Sequence, residues 1–280
     1  MAILIADSGA TKCEWCVVEK GKIKKTVFTL GISPYFLNGT QVEDLVRRDL
    51  HPEISRYSIE AIFYYGTGCK NPENRRTIKN ALKRVFPSVE VDVNHDLLGA
   101  ARAVCLQDKG IACILGTGSN SCFYNGKKIV KNSPGLGYVL GDEGSGAYLG
   151  KKVVQYYLYK TFDEELQYRF DEKFKLTDVE ILDKVYKHPL PNRFLAGFTL
   201  FLAENRGHFM VENIIEDGLN DFFFNHLCKY NESWKLPVHF VGGVAFGFRD
   251  VVMDLTASYE FELGKILQHP MEGLVAYHSS

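Results

Sequence analysis

The chain has 280 residues and a formal net charge of −1 at pH 7, with 46% apolar and 24% charged residues. That balance offers no field toward nucleic acid or an anionic membrane, so neither is expected as a partner. The length allows one large domain or two of ordinary size, each with a real core. In chain order, "MAILIADSG" reaches Asp7 without a basic n-region or a cleavage site, so no export signal is expected. "ILIADSGATKCEWCVVEKGKI", from Ile3, reads as an apolar strand, a turn of Gly, Thr, Ser and Asp, a second strand and a Gly-Lys tip. "IEAIFYYGTG" (59–68) is an apolar strand ending on glycines, and Pro72 opens a helix with Ile78, Leu82 and Val85 on one face. "VEVDVN" (89–94) alternates as a half-exposed strand. Asn94 is placed to cap the next helix, whose apolar face is Leu97, Leu98, Ala101, Val104 and Cys105.

From Ala112 the first plan returns: "ACILGTGSNSCFYNGKKI" has the same strand, turn, strand and Gly-Lys tip. The separation exceeds that of solenoid repeats and predicts two similar lobes, meeting near Asp108-Lys109-Gly110. After the loop "GLGYVLGDEGSG", residues 146 to about 232 read as helical. "PVHFVGGVAFGF" returns to a strand ending on Gly242-Gly243, and a helix at about 249–258, a strand at "FELGKIL" and a terminal helix at about 270–280 close the chain. The apolar run Phe194 to Ala203 is too short to cross a bilayer.

Seven cysteines without framework spacing predict reduced thiols and a cytoplasmic protein. Cys13 and Cys16 form a C-x-x-C pair, but on a strand residues three apart face opposite ways, which favours packing over a metal or redox role. No two of the eight histidines stand at ligand spacing on an evident helix, so no zinc site is expected. The aromatics of "QYYLYK" and "DFFFNHL" suit core and interface surface.

The two hairpins carry the chemistry. A P-loop needs G-x-x-x-x-G-K-[ST] entering a helix, and a dinucleotide fingerprint needs a third small residue opening one; the chain has neither. Each Gly-rich turn alone is most simply a tight turn. Duplicated, with Asp in one copy and Gly-Gly after a late strand, they read as phosphate nests, because turn N–H groups form concave anion sites. Thr11 and Thr117 add hydroxyl donors, and Asp7, ending a buried strand, can hold Mg²⁺ directly or through water.

Taken together, "DSGATKCEW", "NHDLLGAARA", "GTGSN", "GLG…GDEGS", "RFLAGF" and "VGGVAFGF", in that order, resemble the actin-like ATPase superfamily of sugar kinases, actin and heat-shock chaperones. More closely the chain resembles the BadF/BadG/BcrA/BcrD-type ATPases and, within them, the N-acetylglucosamine kinases. The resemblance implies an α/β fold of two ribonuclease H-like lobes around a central cleft, over residues 1–108 and 109–280. The second lobe would carry the helical insertion, about 146–232, and the terminal helix would pack on the first. It implies a homodimer that phosphorylates a free amino sugar with ATP and Mg²⁺, N-acetylglucosamine at O6 before glucosamine, glucose or N-acetylmuramic acid. Asp7, Gly9, Thr11 and Thr117 would face the phosphates and metal, and Ala196, Gly242 and Gly243 the adenosine. Asp96 would be the base, and Ser119, Asn120, Gly135, Leu136, Gly137 and Asp142 would hold the sugar. Where the mammalian member's first sugar loop carries Asn, "GISPYF" offers Ser33.

Two of these residues have a plainer reading. Asp96 lies in the first turn of its helix, where an acid complements the dipole; the same field would keep a catalytic carboxylate ionised. Asp142 is spaced to cap the helix that starts near Ser145. A rival of another class is an activase-like ATPase coupled to a partner protein; such relatives hold an iron–sulfur cluster between two subunits and need exposed paired cysteines.

Overall fold

The computed structural model describes residues 2–9 and 12–279. The first sheet grows from the N-terminal hairpin. β1 (Ala2–Ser8), β2 (Lys12–Glu19) and β3 (Lys22–Leu30) pair antiparallel. The two-residue turn Lys20-Gly21 has φ of 51° and 73°, the doubly positive geometry that suits twisted strands. β4 (Ile59–Gly66) and β5 (Glu90–His95) join parallel to β1, giving the order β3-β2-β1-β4-β5. β5 alternates as its sequence predicts, with Val91 and Val93 buried and Glu90 and Asp92 exposed. The crossover from β4 is the helix Pro72–Val85, capped by Asn71, whose Ile78, Ala81, Leu82 and Val85 are buried.

Both faces of this sheet are covered. Leu4, Cys13, Trp15 and Tyr64 pack with Val42 and Leu82 on one side. Ile5, Cys16 and Tyr65 pack on the other with Met271, Leu274 and Val275 of the C-terminal helix Met271–Ser279. Cys13 and Cys16 therefore point into different layers, as strand alternation dictates.

The second sheet repeats the plan. β6 (Lys109–Leu115), β7 (Ser119–Asn125), β8 (Ile129–Ser133), β9 (Val238–Val241) and β10 (Leu263–Leu267) lie in the order β10-β9-β6-β7-β8. β6, β9 and β10 run parallel. Counted from its own first strand, each sheet has the order third, second, first, fourth, fifth. The duplication legible in the two hairpins thus extends through both sheets, and both lobes are ribonuclease H-like. Between β8 and β9 the chain is helical almost throughout, from Gly146–Leu158 to Phe209–Asn225, and Leu149, Phe170, Phe201 and Phe222 form part of a single core with Cys113 and Phe240.

The described residues fall into two compact units, one within Met1–Asp108, Asn125–Ile129 and His269–Ser280, the other within Lys109–Tyr124 and Val130–Gln268. None of the described helices is long and apolar enough to cross a membrane. Among the elements the sequence missed are the short helices Gly137–Leu140, read there as loop, and Gly243–Gly247 before Arg249–Ser258, each too short and glycine-bearing to carry a periodic signal.

Candidate active site

In the first unit, Ser8, Gly66 and His95 are register partners at the carboxyl ends of the three parallel strands, the end at which α/β sheets bind ligands. Asp7 lies just before that row, opposite Glu14 of β2. Asp96 lies just after it, as the first residue of the helix Asp96–Cys105. Asn94 does not cap this helix. It remains in β5, donating to Asp92 at 2.8 Å, and His95 occupies the cap position without a side-chain bond. The cause is local: β5 continues pairing to Gly66, which carries the strand through His95.

Burial dominates the electrostatics here. The Asp7 carboxyl is pushed up to about 7, first by desolvation and then by the charges of Asp96 and Glu14. Asp96 is also raised by burial, although the Leu97 N–H donates to its Oδ1 at 2.8 Å and its own N–H helps. The helix N-terminus favours the ionised form, as the sequence suggested, but burial outweighs it and the net shift is upward. Because the folded pKa of Asp7 exceeds the unfolded one, its contribution to stability falls as pH rises from the ordinary Asp range through about 7. Asp7→Asn is expected to melt a few degrees above wild type near pH ~8 in metal-free buffer, the gap closing toward pH ~4. A wild type at least as stable at the higher pH would overturn this account of the Asp7 site.

The Ser33 loop is tied to the same end of the sheet. The Ile32 N–H donates to Ser8 Oγ at 3.0 Å, and the Ile32 carbonyl accepts from Tyr64 Oη at 3.1 Å. Ser33 is 2% exposed, and its carbonyl accepts from the N–H groups of Phe36 and Leu37. In the turn after β1, the Gly9 N–H donates to the Lys12 carbonyl at 3.0 Å, while Thr11 lies outside the described residues.

In the second unit, the turn after β6 closes by a Gly116 N–H to Gly118 carbonyl bond at 3.0 Å and leaves Thr117 exposed. A helix N-terminus does lie beside it, hidden from the sequence by the long stretch of chain between Gly118 and Gly146. The N–H groups of Gly146 and Ala147 donate to the carbonyls of Gly116 and Thr117 at 2.8 and 3.0 Å. Those N–H groups are spent on the turn and are not free for an anion.

Ser119, Asn120, Gly135 and Asp142 come together. Ser119 is 6% exposed, and its hydroxyl has no hydrogen-bond partner among the described residues. Asn120 Oδ1 accepts from Asn132 Nδ2 at 2.9 Å, and a Cβ on Gly135 would lie 3.8 Å from Asn120 Nδ2. Asp142 accepts from the N–H groups of Ser119 and Gly137; burial raises its pKa and the Glu143 charge adds to that, against those donors and His226. It does not cap the following helix: Ser145 does, its Oγ accepting from the Tyr148 N–H at 3.1 Å. Leu136 and Gly137 are exposed, and no atom of the described residues lies within 4 Å of where a Cβ on Gly137 would be.

A third group surrounds the end of β9. Gly242 has φ of 129°, and a Cβ there would stand 2.2 Å from the Leu115 carbonyl oxygen. No atom of the described residues lies within 4 Å of where a Cβ on Gly243 would be, and Ala196 Cβ lies 3.1 Å from where a Cβ on Gly146 would be. Gly116, Gly146, Ala196 and Gly242 are thus neighbours, four residues with little or no side chain of their own.

Four residues of these clusters escaped the sequence reading. Glu14 was legible in principle, since the hairpin register places it opposite Asp7. Ser8, Tyr64 and His226 were not, because their partners are Ile32 and Glu143, distant in the chain.

No protein-family model matches the chain, and no curated protein matches it. Among solved structures, it is similar to a proposed N-acetylglucosamine kinase from Porphyromonas gingivalis, at 41% identity over 99% of this chain and 98% of that one, with a TM-score of 0.96. A proposed N-acetylglucosamine kinase from Chromobacterium violaceum is 17% identical over 99% and 98%, with a TM-score of 0.76. A ROK family glucokinase from Streptomyces griseus, in complex with glucose and AMPPNP, is 16% identical over 99% and 98%, with a TM-score of 0.61. At those identities the last two share the fold alone.

Proposed function

The chain belongs to the N-acetylglucosamine kinase family of the actin-like ATPases, and from that premise we propose that it transfers the γ-phosphoryl group of ATP to O6 of N-acetylglucosamine. It is a sugar kinase; the particular sugar and hydroxyl are the proposal. The observation that carries the reading is the likeness at 41% identity over 99% of the chain. The geometry supports it with an unpaired buried hydroxyl, Ser119, beside Asp142, and with carboxylates grouped at the carboxyl ends of the first sheet.

In this reading Asp96 accepts the proton of the attacking sugar hydroxyl. Ser119, Asn120, Asp142 and the backbone of Gly135, Leu136 and Gly137 hydrogen-bond the sugar, with Ser33 assigned to the same ligand. Gly9, Thr11 and Thr117 donate to phosphate oxygens, and Ala196, Gly242 and Gly243 leave room for adenosine. The donors around Asp7 are carboxylate oxygens, the chemistry a hard divalent ion selects, and a cation there would offset first the burial and then the repulsion from Asp96 and Glu14 that together raise Asp7. Bound Mg²⁺ would neutralise phosphate charge. A cytoplasmic homodimer completes the proposal; the exposed aromatics Tyr159 and Phe224 are where a second copy would find apolar surface. The activase reading is the weaker one, because Cys13 and Cys16 are buried in different layers.

A coupled assay with ATP across N-acetylglucosamine, glucosamine, glucose and N-acetylmuramic acid tests the substrate. A pocket that hydrogen-bonds the acetamido group leaves those partners unpaired with glucose, so kcat/KM should favour N-acetylglucosamine by at least about 10²-fold. Equal values for the two sugars would refute the assignment.

A further inference from the structure

Asp142 presents its carboxylate from a backbone conformation held under constraint: its φ is 59°, in the left-handed region. A non-glycine residue stays there when its surroundings over-determine it. Part of that constraint is local, as the Ser145 N–H donates to the Asp142 carbonyl at 3.0 Å. The N–H groups of Ser119 and Gly137 hold its carboxylate, and the end of the helix Phe209–Asn225 holds the residues that follow it. Phe222 Cβ stands 2.8 Å from where a Cβ on Gly144 would be, and His226 Nε2 lies 3.2 Å from Glu143 Oε2. The His226 ring stacks on Phe222 with centroids 4.7 Å apart. Two side chains one helical turn apart thus grip consecutive residues of the Asp142 loop.

The chemistry of the pair is specific. A carboxylate only accepts, so His226 Nε2–H donates to Glu143. His226 is 4% exposed and Glu143 20%, and His226 Nδ1 is buried with no partner among the described residues. A phenyl ring would fill the same space without that unpaired nitrogen. What a phenyl ring would not supply is the bond to Glu143. We infer that His226 is a positioning residue for the sugar site: through Glu143 it fixes the loop of residues 141–145 that presents Asp142. The inference about sugar rests on the kinase reading above; the inference about loop order does not.

The test uses the full chain. His226→Phe keeps the stacking on Phe222 and removes the donor. His226→Gln returns an amide N–H near the position of Nε2. Hydrogen exchange at residues 137–145 should speed up in His226→Phe and return toward wild type in His226→Gln. In kinetics, His226→Phe should raise the sugar KM on the order of ten- to hundred-fold, the cost of stranding one partner of a buried charged hydrogen bond. Its kcat and ATP KM should stay within about twofold. Glu143→Ala should do the same, and the double variant should be no worse than either single one, because both remove one interaction. Unchanged loop exchange in His226→Phe, a Gln variant that behaves like Phe, or additive effects in the double variant would each overturn the inference. If His226→Phe does not fold, Glu143→Ala carries the same comparison. If wild type phosphorylates no sugar, the kinase reading fails, and the exchange comparison still decides the role of His226.

Discussion

Asp96→Asn should lower kcat by about 10²- to 10⁴-fold, the usual contribution of a positioned general base. The substitution is nearly isosteric, and an amide oxygen can still accept from the Leu97 N–H that now bonds Oδ1. The helix start at Asp96 should therefore survive, and the melting temperature should not fall below wild type, since burial raises this carboxyl and removing its charge acts in the same direction as at Asp7. Sugar and ATP should still bind, since an amide can hydrogen-bond the hydroxyl but cannot take its proton. Asp142→Asn, at a residue assigned to binding, should act mainly through the sugar KM. The pH profile gives an independent check. Burial raises the Asp96 carboxyl, and a base works only when deprotonated, so kcat/KM of wild type should fall on the acid side at a pH above the ordinary Asp range. The residual rate of Asp96→Asn should lack the part of that limb that belongs to Asp96, while a limb from Asp7 would remain. A variant that keeps most of its turnover would place the base elsewhere.

The sequence spoke most clearly where chemistry and local structure coincide. The two hairpins share a strand-turn-strand-Gly-Lys plan, and a two-residue turn such as Lys20-Gly21 dictates its own geometry, so the duplication was readable before either sheet was seen. The helix Pro72–Val85 was equally plain, with Pro at its first position and a clean apolar face. Boundaries set by pairing were not. Asn94 is a good cap by residue type, yet β5 pairs with β4 through His95 and the helix starts after it. Electrostatics were the least legible. A helix N-terminus favours ionised Asp96, but desolvation, which depends on everything packed around it, outweighs that field. The same holds for the turn at Gly116, whose neighbouring helix N-terminus begins thirty residues later and spends its first donors on the turn itself. Long-range partners such as His226 and Glu143 leave no local mark at all.

The dipeptide Gly242-Gly243 should respond in opposite ways to the same substitution. At Gly242 a Cβ would stand 2.2 Å from the Leu115 carbonyl oxygen, with backbone on both sides of the clash and φ of 129°. No rotamer relieves a contact made by Cβ itself. The β9 end is also tied to its neighbours, because the Gly242 N–H donates to the Leu267 carbonyl at 2.9 Å. Gly242→Val should therefore destabilise the second unit by at least ~3 kcal/mol, through strained φ and overpacking together, and yield little folded protein. Gly243 begins the helix Gly243–Gly247, and no atom of the described residues lies within 4 Å of where its Cβ would be. Gly243→Val should fold, with a melting temperature close to wild type. If adenosine lies against this bare surface, the new side chain occupies its space, and ATP affinity should fall by about tenfold or more, on the order of the 1.4 kcal/mol that such a change represents. Sugar binding should be untouched, which separates a blocked nucleotide surface from a general loss of structure. Calorimetry on the folded Gly243→Val variant decides the matter: an unchanged ATP affinity would remove Gly242 and Gly243 from the nucleotide site and leave the open space beside them without a ligand.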